Sequence, residues 1–259
     1  MPLISIVTVN YNDALGLKRT IKSVQEQTVT DYEHIIIDGG STDGSKKVIE
    51  RYKNSFSHWV SEPDNGIYNA MNKGIKASKG VYLLFLNSGD HFQNHSALEK
   101  AYSFLTGEAI VYFDLEVVDK EKTFIKSYPE LLSFSYFVED TLPHPASFIK
   151  KDAFATTGAY KEDFKVLSDW KFFIDAICKY GMSYKRVPHL LSTFYLGGIS
   201  SDPKNRAVKY AERQEILQND YKVYFKDIDD ILVYKRIVKN FRDSRIIACL
   251  VHLGFLNKF

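Results

Sequence analysis

The chain has 259 residues, 45% of them hydrophobic and 14% aromatic, which is enough to bury the core of one large domain. Its 34 lysines and arginines nearly balance its 32 aspartates and glutamates, so the overall charge gives no electrostatic argument for nucleic acid as a partner. Its two cysteines, Cys178 and Cys249, make neither a disulfide framework nor a paired metal motif, and they indicate a reducing compartment such as the cytoplasm.

Strand-like apolar runs alternate with segments of helical period in the first part of the chain. The strands and helices predicted there, in chain order, are Leu3–Val9, Leu15–Gln27, His34–Ile37, Ser45–Lys53, Trp59–Val60, Ile67–Ala77, Val81–Leu86 and Ala97–Leu105. This alternation predicts an α/β fold with a mixed, mainly parallel sheet that is flanked by helices on both faces.

The alternation ends after Ala109. Residues 109–128 predict two strands that form a hairpin around Asp119–Lys122, and residues 146–150 and 183–195 predict further strands around a helix at Asp169–Tyr180. The turn-like segment "GGISSDPKN" then leads into helices over residues 203–259. We therefore expect a first domain over residues 1–202 and a helical C-terminal extension over residues 203–259.

The end of the extension is basic and amphipathic. Between residues 231 and 259, six lysines and arginines stand against one acid, Asp243. Apolar and basic side chains fall on different sides of a helical projection, the apolar set being Tyr234, Ile237, Val238, Phe241 and Ala248 and the basic set Lys235, Lys239 and Arg242. This pattern predicts peripheral contact with an anionic membrane through residues 231–259. The alternative is a helix packed on the first domain or on a second subunit of a homodimer.

Neither end of the chain has the pattern of a membrane-crossing or export segment. The N-terminus lacks the basic stretch and the cleavage site of a signal peptide, so we expect no export. The longest nearly uncharged run, residues 246–256, is well short of the ~20 residues that a spanning helix needs. We therefore expect no transmembrane helix.

Each strand of the first part ends in polar loop residues, namely "TVNYND", "IDGGSTDGS", "SEPDNG" and "NSGD". Because ligands of open parallel sheets bind beyond the carboxyl ends of the strands, these loops predict one polar crevice for a nucleotide. The chain has no Walker A motif and no GxGxxG, so a divalent metal on a carboxylate is the expected way to hold a diphosphate. Asp90 suits that role, although an aspartate there can also cap the next helix.

These loops resemble those of a known family. The resemblance is carried in the first half by "ISIVTVNYND", "IIIDGGSTDGS", "EPDNGIYNAMNKGIKASKG" and "LLFLNSGDHF", and in the second by "LPHPASFIKKDAF", "GAYKEDFKVLSDWKFF" and "FYLGGISS". In order and spacing they look like the family-2 glycosyltransferases, inverting enzymes of the GT-A fold, and especially the branch in bacterial surface-polysaccharide synthesis. The resemblance implies a nucleotide-sugar-binding half over residues 1–107 and an acceptor half over residues 108–202.

The resemblance also implies roles for residues around the donor. Its donor-binding positions match Thr8, Asn10, Asp38, Asp64, Asn72, Lys73, Asn87 and Ser88. The family often has two consecutive acids where this chain has Asp38 and Gly39, and its acidic metal motif here reads Asn87-Ser88-Gly89-Asp90. Asp90 is then the one strong anionic ligand, so we expect a Mg²⁺ or Mn²⁺ site completed by diphosphate and water.

In the acceptor half, Asp169 matches the general base of the family, which removes the proton of the attacking hydroxyl. Trp170 beside it offers a flat face for a sugar ring, and His144, Gly198 and Ser200 match segments that close over the diphosphate or the acceptor. An acid in the first turn of a helix also has a purely structural explanation, since the helix dipole favours it.

The resemblance thus implies a glycosyltransferase whose partners are a nucleoside-diphosphate sugar and a saccharide or lipid-linked saccharide. A nucleotidyltransferase is the enzymatic alternative, but "TVNYNDALG" lacks the glycine-rich basic loop of that class. A non-catalytic glycan-binding or nucleotide-sugar-binding module of the same fold stays open, because the acids of the metal motif are missing at positions 87 and 89.

Overall fold

The structure, a computed structural model, describes residues 1–119 and 122–257. Its helices α1 to α10 lie, in chain order, at Ala14–Gln25, Ser45–Tyr52, Ile67–Ala77, Ala97–Tyr102, Phe134–Glu139, Ala153–Thr157, Ser168–Ile174, Arg206–Asp220, Lys222–Asp243 and Arg245–His252. Its strands β1 to β9 lie at Ile4–Asn10, Tyr32–Asp38, His58–Ser61, Tyr82–Phe85, His91–Phe92, Ile110–Val118, Thr123–Lys126, Ser147–Lys150 and Tyr184–Tyr195.

Within the described residues the strands form one sheet in the order β3-β2-β1-β4-β8-β6-β9-β5, and β7 pairs with β6. Strands β1 to β4 pair in parallel, as do β6 and β9. Strand β8 is antiparallel to both β4 and β6, and β5 and β7 are antiparallel to their partners. The expected mixed α/β fold is confirmed, but the sheet is mainly parallel in its first half only.

The core of the first half follows from the apolar pattern of β1 and β2. All seven residues of β1 are buried, as are six of the seven in β2, which is typical of strands covered on both faces. On one face Leu17 and Ile21 of α1 pack with Ile36 of β2 and Ile49 of α2. Leu17 and Ile21 are one helical turn apart, so both point toward the sheet.

The predicted elements of the first half are all present, with bounds that differ by at most three residues. The predicted hairpin is confirmed as β6 and β7, and Lys120 and Glu121 of its turn lie outside the described residues. Strand β5 and helices α5 and α6 were not predicted, because two to six residues are too few to show a period. The predicted helix at Asp169–Tyr180 is α7 followed by a π-helical turn at Asp175–Lys179.

The chain divides into two compact units, Met1–Glu212 and a segment that begins at Arg213. The division falls inside α8, ten residues after the predicted boundary at residue 202. In the second unit α9 and α10 pack against each other. No helix in the described part of the chain combines the length and the apolar character that crossing a membrane requires.

Candidate active site

The carboxyl ends of β1, β2 and β4 lie side by side, and the loops that follow them are in contact. Asn10 pairs with Asp38 in the β1–β2 ladder, and the Ser88 backbone N–H donates to the Val9 carbonyl at 3.1 Å. Ser61, the last residue of β3, is the neighbour of Asp38 in the next ladder. The loops that were expected to form one crevice therefore meet at one edge of the sheet.

Asp38 is fully buried, and its carboxylate is bound by the protein itself. Oδ1 accepts hydrogen bonds from Asn10 Nδ2 at 2.6 Å and Ser41 Oγ at 2.5 Å. Oδ2 accepts from the Ser41 backbone N–H at 3.1 Å and from Ser61 Oγ at 2.7 Å. These donors use the ~4 lone-pair sites of a carboxylate. The expected role of Asp38, to accept a base N–H or a ribose hydroxyl, does not agree with this arrangement, in which Asp38 joins three loops.

Thr8 and Asn10 at the end of β1 differ in whether they leave a hydrogen-bonding atom available to a ligand. Thr8 is fully buried, and its Oγ1 donates to the Leu86 carbonyl at 2.8 Å and lies 3.0 Å from His34 Nε2. Thr8 thus ties β1 to its neighbouring strands instead of facing a ligand as expected. Asn10 Oδ1 is buried and has no hydrogen-bond partner among the described residues. A buried acceptor of this kind suits a donor group on a ligand.

His34, which the sequence gave no reason to single out, is a buried neutral side chain behind these loops. Its ring packs edge-on against Phe56 with centroids 5.5 Å apart. Burial lowers the pKa of His34 to about 3. Since Thr8 Oγ1 donates to Leu86, His34 Nε2 donates to Thr8, and the imidazole stays uncharged in the folded chain.

Asp64 lies against the end of β2 because residue 39 has no side chain. A Cβ built on Gly39 would lie 2.4 Å from Asp64 Oδ2. Asp64 Oδ1 accepts the Gly66 backbone N–H at 2.9 Å. The chain has a glycine where the resembling family often has a second acid, and the space beside β2 is taken by the carboxylate of Asp64.

The two α3 residues expected near the donor are bound within the protein. Asn72 Nδ2 donates to the Tyr160 carbonyl and to Glu162 Oε1, each at 2.8 Å, and Asn72 Oδ1 accepts the Tyr160 backbone N–H at 3.0 Å. Lys73 Nζ forms an ion pair of 2.7 Å with Glu62. These contacts fasten α3 to its surroundings, and the expected contacts of Asn72 and Lys73 with the donor stay predictions.

Asp90 ends the turn that follows β4, and it is 5% exposed. Its backbone N–H donates to the Asn87 carbonyl at 3.1 Å, and Thr20 Oγ1 donates to its carbonyl at 2.6 Å. Burial, and secondarily the charge of Asp13, raises the pKa of the Asp90 carboxyl well above its usual range, against the Tyr195 backbone N–H and Arg19, which lower it. A nearby cation would stabilise the charged form of such a buried carboxylate.

The residues of this turn fit a magnesium or manganese ion held jointly with a diphosphate. Asn87 Oδ1 is buried and has no hydrogen-bond partner in the described part of the chain, and amide and carboxylate oxygens are ligands that these ions prefer. No group of three or more His, Cys, Asp or Glu in residues 1–119 and 122–257 is arranged to hold a metal. A cation at Asp90 therefore needs oxygens from a diphosphate and water.

Arg19 and Tyr195 border the Asp90 turn and were not predicted. The Arg19 guanidinium lies 4.3 Å from the Tyr195 ring centroid, and its Nη1 donates to the Gly89 carbonyl at 3.3 Å. The Tyr195 hydroxyl lies 3.1 Å from His91 Nε2. Arg19 belongs to α1 and Tyr195 to the end of β9, so only the folded sheet shows that they are neighbours.

Asp169 lies in the first turn of α7 with its side chain 23% exposed. Its Oδ1 accepts the Tyr68 hydroxyl at 2.8 Å, and its Oδ2 lies 4.0 Å from His144 Nδ1. The His144 ring stacks on Phe85, the last residue of β4, with centroids 4.6 Å apart. His144 therefore connects the expected general base to the strand that carries the Asp90 turn.

Trp170 does not offer a face to a sugar as expected. The side chain is 1% exposed. Its Nε1 donates to the carbonyls of Phe137 at 2.8 Å and Asp140 at 3.2 Å. The ring fixes α7, the helix that carries Asp169, against α5 and the residue that follows it.

Gly198 and Ser200 lie in an exposed loop that begins directly after Tyr195. The Gly198 carbonyl accepts the backbone N–H groups of Ser201 and Asp202, each at 3.0 Å, and Lys209 Nζ donates to the Ser200 carbonyl at 3.0 Å. The loop is thus a turn on the surface, joined through Tyr195 to the Asp90 turn.

Comparison with known proteins identifies the family. Residues 5–160 match the model of Glycosyl transferase family 2. The chain belongs to this family. It is 34% identical over 180 residues to an uncharacterised glycosyltransferase of Mycobacterium tuberculosis, covering 68% of this chain and 69% of the relative. It is 29% identical over 209 residues to a PGL/p-HBAD biosynthesis glycosyltransferase of Mycobacterium bovis BCG, covering 77% of this chain and 80% of the relative.

Solved structures match the fold of this family-2 glycosyltransferase. TarS 1–349 of S. aureus in complex with UDP-GlcNAc has a TM-score of 0.67 at 18% identity and covers 95% of this chain and 74% of its own. The mannosyltransferase PcManGT of Pyrobaculum calidifontis in complex with GDP-Man and Mn2+ has a TM-score of 0.58 at 14% identity and covers 98% of this chain and 79% of its own. The sheet flanked by helices is thus the GT-A architecture.

Proposed function

We propose that this glycosyltransferase is an inverting enzyme that moves a sugar from a nucleoside-diphosphate sugar to a saccharide or lipid-linked saccharide in cell-surface polysaccharide synthesis. The observation that carries the proposal is the link between its two acids. Asp169 faces His144, whose ring stacks on Phe85 at the end of β4, and Asp90 ends the turn that follows. The two acids proposed as base and metal ligand are therefore both linked to the end of β4.

The reaction assigns one step to Asp169. Its carboxylate takes the proton of the acceptor hydroxyl while that oxygen bonds to the anomeric carbon, and the bond from that carbon to the nucleoside diphosphate breaks. The electron pair of the broken bond leaves with the diphosphate. Asp169 suits this work because it is partly exposed to an acceptor while Tyr68 fixes one of its oxygens.

Asp90 and Asn87 would hold a divalent cation, which when bound offsets the charge of the diphosphate. Asp64 and Asn10 Oδ1 are the polar groups proposed to meet the nucleoside, since Asn10 ends β1 and Asp64 lies against Gly39, the residue after β2. Ser88, Gly198 and Ser200 border the same edge through the Asp90 turn and the loop after Tyr195. These five groups and His144 form the proposed binding surface.

The known complexes of related folds support a nucleotide donor. TarS binds UDP-GlcNAc, and PcManGT binds GDP-Man together with Mn2+. The mycobacterial relative named for PGL/p-HBAD biosynthesis supports a glycan of the cell surface as the product class.

The donor is tested by thermal unfolding with UDP, GDP, dTDP or CDP, each with Mn²⁺, Mg²⁺ or EDTA. One nucleoside diphosphate should raise the midpoint in the presence of metal, because a ligand that binds only the folded state stabilises it. The gain should disappear in Asp90→Asn and persist in Asp152→Asn, which alters an exposed acid. A full gain in Asp90→Asn contradicts the metal role of Asp90.

The base is tested with sugars of the nucleotide so identified. Asp169→Asn should retain the metal-dependent nucleotide binding and lose transfer by about a thousandfold or more, since general-base catalysis supplies about 10²–10⁴-fold. Asp163→Asn, an exposed acid in the segment before α7, is the matched control. Transfer by Asp169→Asn at the wild-type rate would refute the assignment of the base.

The C-terminal unit is proposed to rest on the inner face of the cytoplasmic membrane. Its α9, α10 and the residues that follow α10 expose apolar side chains, among them Tyr234, Ile246 and Phe255, each more than half exposed. The same unit exposes the basic side chains of Lys239 and Arg242. This combination favours an anionic lipid surface. It also suits an acceptor that is anchored in lipid.

Flotation with phosphatidylglycerol and phosphatidylcholine vesicles tests the membrane proposal. The chain should float with the anionic vesicles, and the double variant Lys239→Glu/Arg242→Glu should float less than one tenth as much, at about 1 kcal/mol for each cation lost. Lys46→Glu/Lys47→Glu on α2 makes the same charge change away from the tail and should float normally. Equal flotation of the two double variants contradicts the proposal.

A further inference from the structure

The carboxylate of Asp169 lies between side chains from both halves of the first unit. Tyr68 comes from α3 in the first half, and its hydroxyl donates to Asp169 Oδ1 at 2.8 Å. His144 comes from the segment before β8 in the second half, and its Nδ1 lies 4.0 Å from Asp169 Oδ2. Each oxygen of the carboxylate therefore faces a different group, and Oδ1 is already occupied.

The hydrogen bond between His144 and Tyr160 fixes which imidazole nitrogen carries the proton. The two groups are buried, and His144 Nε2 lies 2.8 Å from the Tyr160 hydroxyl. In the described residues that hydroxyl has no other hydrogen-bond acceptor, so it donates to Nε2 to avoid a buried unsatisfied proton. The His144 proton then sits on Nδ1, the nitrogen that faces Asp169.

Burial holds these groups in the protonation states that the arrangement needs. It raises the pKa of the Tyr68 hydroxyl well above its usual range, with the charge of Asp169 adding to the effect, so Tyr68 stays a donor. Burial likewise raises the pKa of Tyr160 and lowers the pKa of His144. His144 is therefore neutral, and it does not form a full ion pair with Asp169.

Packing fixes the ring of His144. It stacks on Phe85 on one side, and Tyr160 and Phe173 meet it edge-on with interplanar angles of 90° and 89°. Tyr160 is itself held by Asn72, which bonds both its backbone N–H and its carbonyl. The imidazole cannot turn away from Asp169 without disturbing this packing.

We propose that Tyr68 and His144 are positioning residues that hold the Asp169 carboxylate so that Oδ2 receives the proton of the acceptor hydroxyl. The inference rests on the proposed function, since it assigns Asp169 as the base. Tyr68 keeps Oδ1 occupied throughout. The acceptor O–H bond breaks as its oxygen bonds to the anomeric carbon, the proton moves to Oδ2, and the electron pair of the broken glycosyl bond leaves on the nucleoside diphosphate.

A double-mutant cycle between Tyr68→Phe and Asp169→Asn tests the inference. The assay measures nucleoside diphosphate release from UDP-, GDP-, dTDP- and CDP-sugars with Mn²⁺ and water as the acceptor. In the wild-type background Tyr68→Phe should lower kcat by about tenfold to one-hundredfold, the value of a hydrogen bond to a charged group, with the donor KM changed by less than about twofold. In the Asp169→Asn background it should change kcat by less than about twofold, because the two residues act as one unit.

His144→Phe/Tyr160→Phe is the second arm of the test. It keeps aromatic rings at both positions and removes both polar partners together, so no buried hydroxyl loses its acceptor. It should lower kcat by about tenfold in the wild-type background and leave Asp169→Asn unchanged. Tyr82→Phe is the control, since Tyr82 is a buried tyrosine at the opposite end of β4 that bonds the Glu108 carbonyl at 3.0 Å.

The outcomes separate the inference from the function on which it rests. If Asp169→Asn loses nucleoside diphosphate release but Tyr68→Phe releases it at the wild-type rate, the positioning role alone is overturned. A loss in Tyr68→Phe that is equally large in the Asp169→Asn background shows a general structural effect and also overturns it. A wild-type chain that releases no nucleoside diphosphate from any of the sugars and is also not stabilised by any of the nucleoside diphosphates with metal overturns the proposed function and this inference together.

Discussion

The end of β2 and the turn after β4 each carry a buried aspartate at the same edge of the sheet, yet the two carboxylates are held in different ways. Asp38 accepts four hydrogen bonds, two on each oxygen, from three loops. Asp90 is faced by the Tyr195 backbone N–H and by Arg19, and burial raises its pKa well above the usual range. A carboxylate whose acceptor positions are all filled by hydrogen bonds from the protein holds the loops of a site together. A buried carboxylate whose charge is only partly offset by the protein is available to bind a ligand.

Asp38→Asn should have the largest effect on stability. The amide nitrogen replaces one acceptor oxygen, so two hydrogen-bond donors then face each other without an acceptor. We therefore expect the free energy of unfolding to fall by about 3 kcal/mol. Urea unfolding at pH 7 measures the loss, and Asp152→Asn controls for the removal of an acid. A loss below about 1 kcal/mol would remove the distinction between Asp38 and Asp90.

Acid should weaken the link between the strands that carry these two loops. His34 of β2 bonds Thr8 of β1, which bonds the carbonyl of Leu86 after β4. Burial lowers the pKa of His34 from its ordinary value of 6.5 to about 3. Between these two pH values the imidazole is protonated in the unfolded chain but not in the folded chain. The stabilising contribution is present above pH 6.5 and is lost as the pH falls toward about 3, amounting to about 2 kcal/mol between pH 8 and pH 5.

Unfolding free energies of wild type and His34→Gln across this pH range check the contribution of His34. The variant removes the titrating group, so its stability should fall less steeply between pH 7 and pH 5. Parallel curves would show that His34 does not protonate on unfolding and would contradict the expectation.

Asp90→Asn should have the opposite sign to Asp38→Asn when metal is absent. Since burial raises the pKa of Asp90, its contribution to stability is full below the usual value of 3.8 and is lost as the pH rises through the folded value. In EDTA at pH 8 the variant should be more stable than wild type by about 1.5 kcal/mol. A lower unfolding midpoint for Asp90→Asn in EDTA would place Asp90 with Asp38 as a structural acid.

Gly89→Ala should have the smallest effect, about 1 kcal/mol of lost stability. Gly89 has a φ of 98°, a conformation that L side chains rarely adopt, although its nearest neighbour would be 3.5 Å away at Asp13 Oδ2. The cost is therefore in the backbone. Thermal unfolding measures it, and no change would mean that the turn relaxes, which would leave the missing acid of the metal motif unexplained.

The sequence predicted the first half of the fold well because each element there has a clear period. Helix α3 has the bounds Ile67–Ala77 that its apolar spacing predicted. The two short second-half helices α5 and α6 lacked such a signal. The mixed pairing of β8, antiparallel to both of its neighbours, depends on contacts distant in sequence, so no local pattern contained it.

The candidate site was predicted by position but not by contact. Asp169 and Trp170 are consecutive, yet in a helix neighbouring side chains point about 100° apart, so Asp169 meets Tyr68 while Trp170 enters the core. Tyr68 is a buried residue of α3, and no local sequence pattern indicated that its hydroxyl reaches a residue more than 100 positions later. The roles of Asp169 and Asp90 stay predictions.

The two bonds that Asn72 makes with the backbone of Tyr160 set a rule for engineering this enzyme. They join α3 of the first half to the Tyr160 backbone of the second half by a pair of hydrogen bonds, as paired residues of two β-strands are joined. A chimera can exchange the second half for that of a relative with a different acceptor. In such a chimera Asn72 must form the same two hydrogen bonds with the backbone of the new second half. Specificity swaps should therefore carry α3 together with the acceptor segment, and not be cut cleanly at the midpoint.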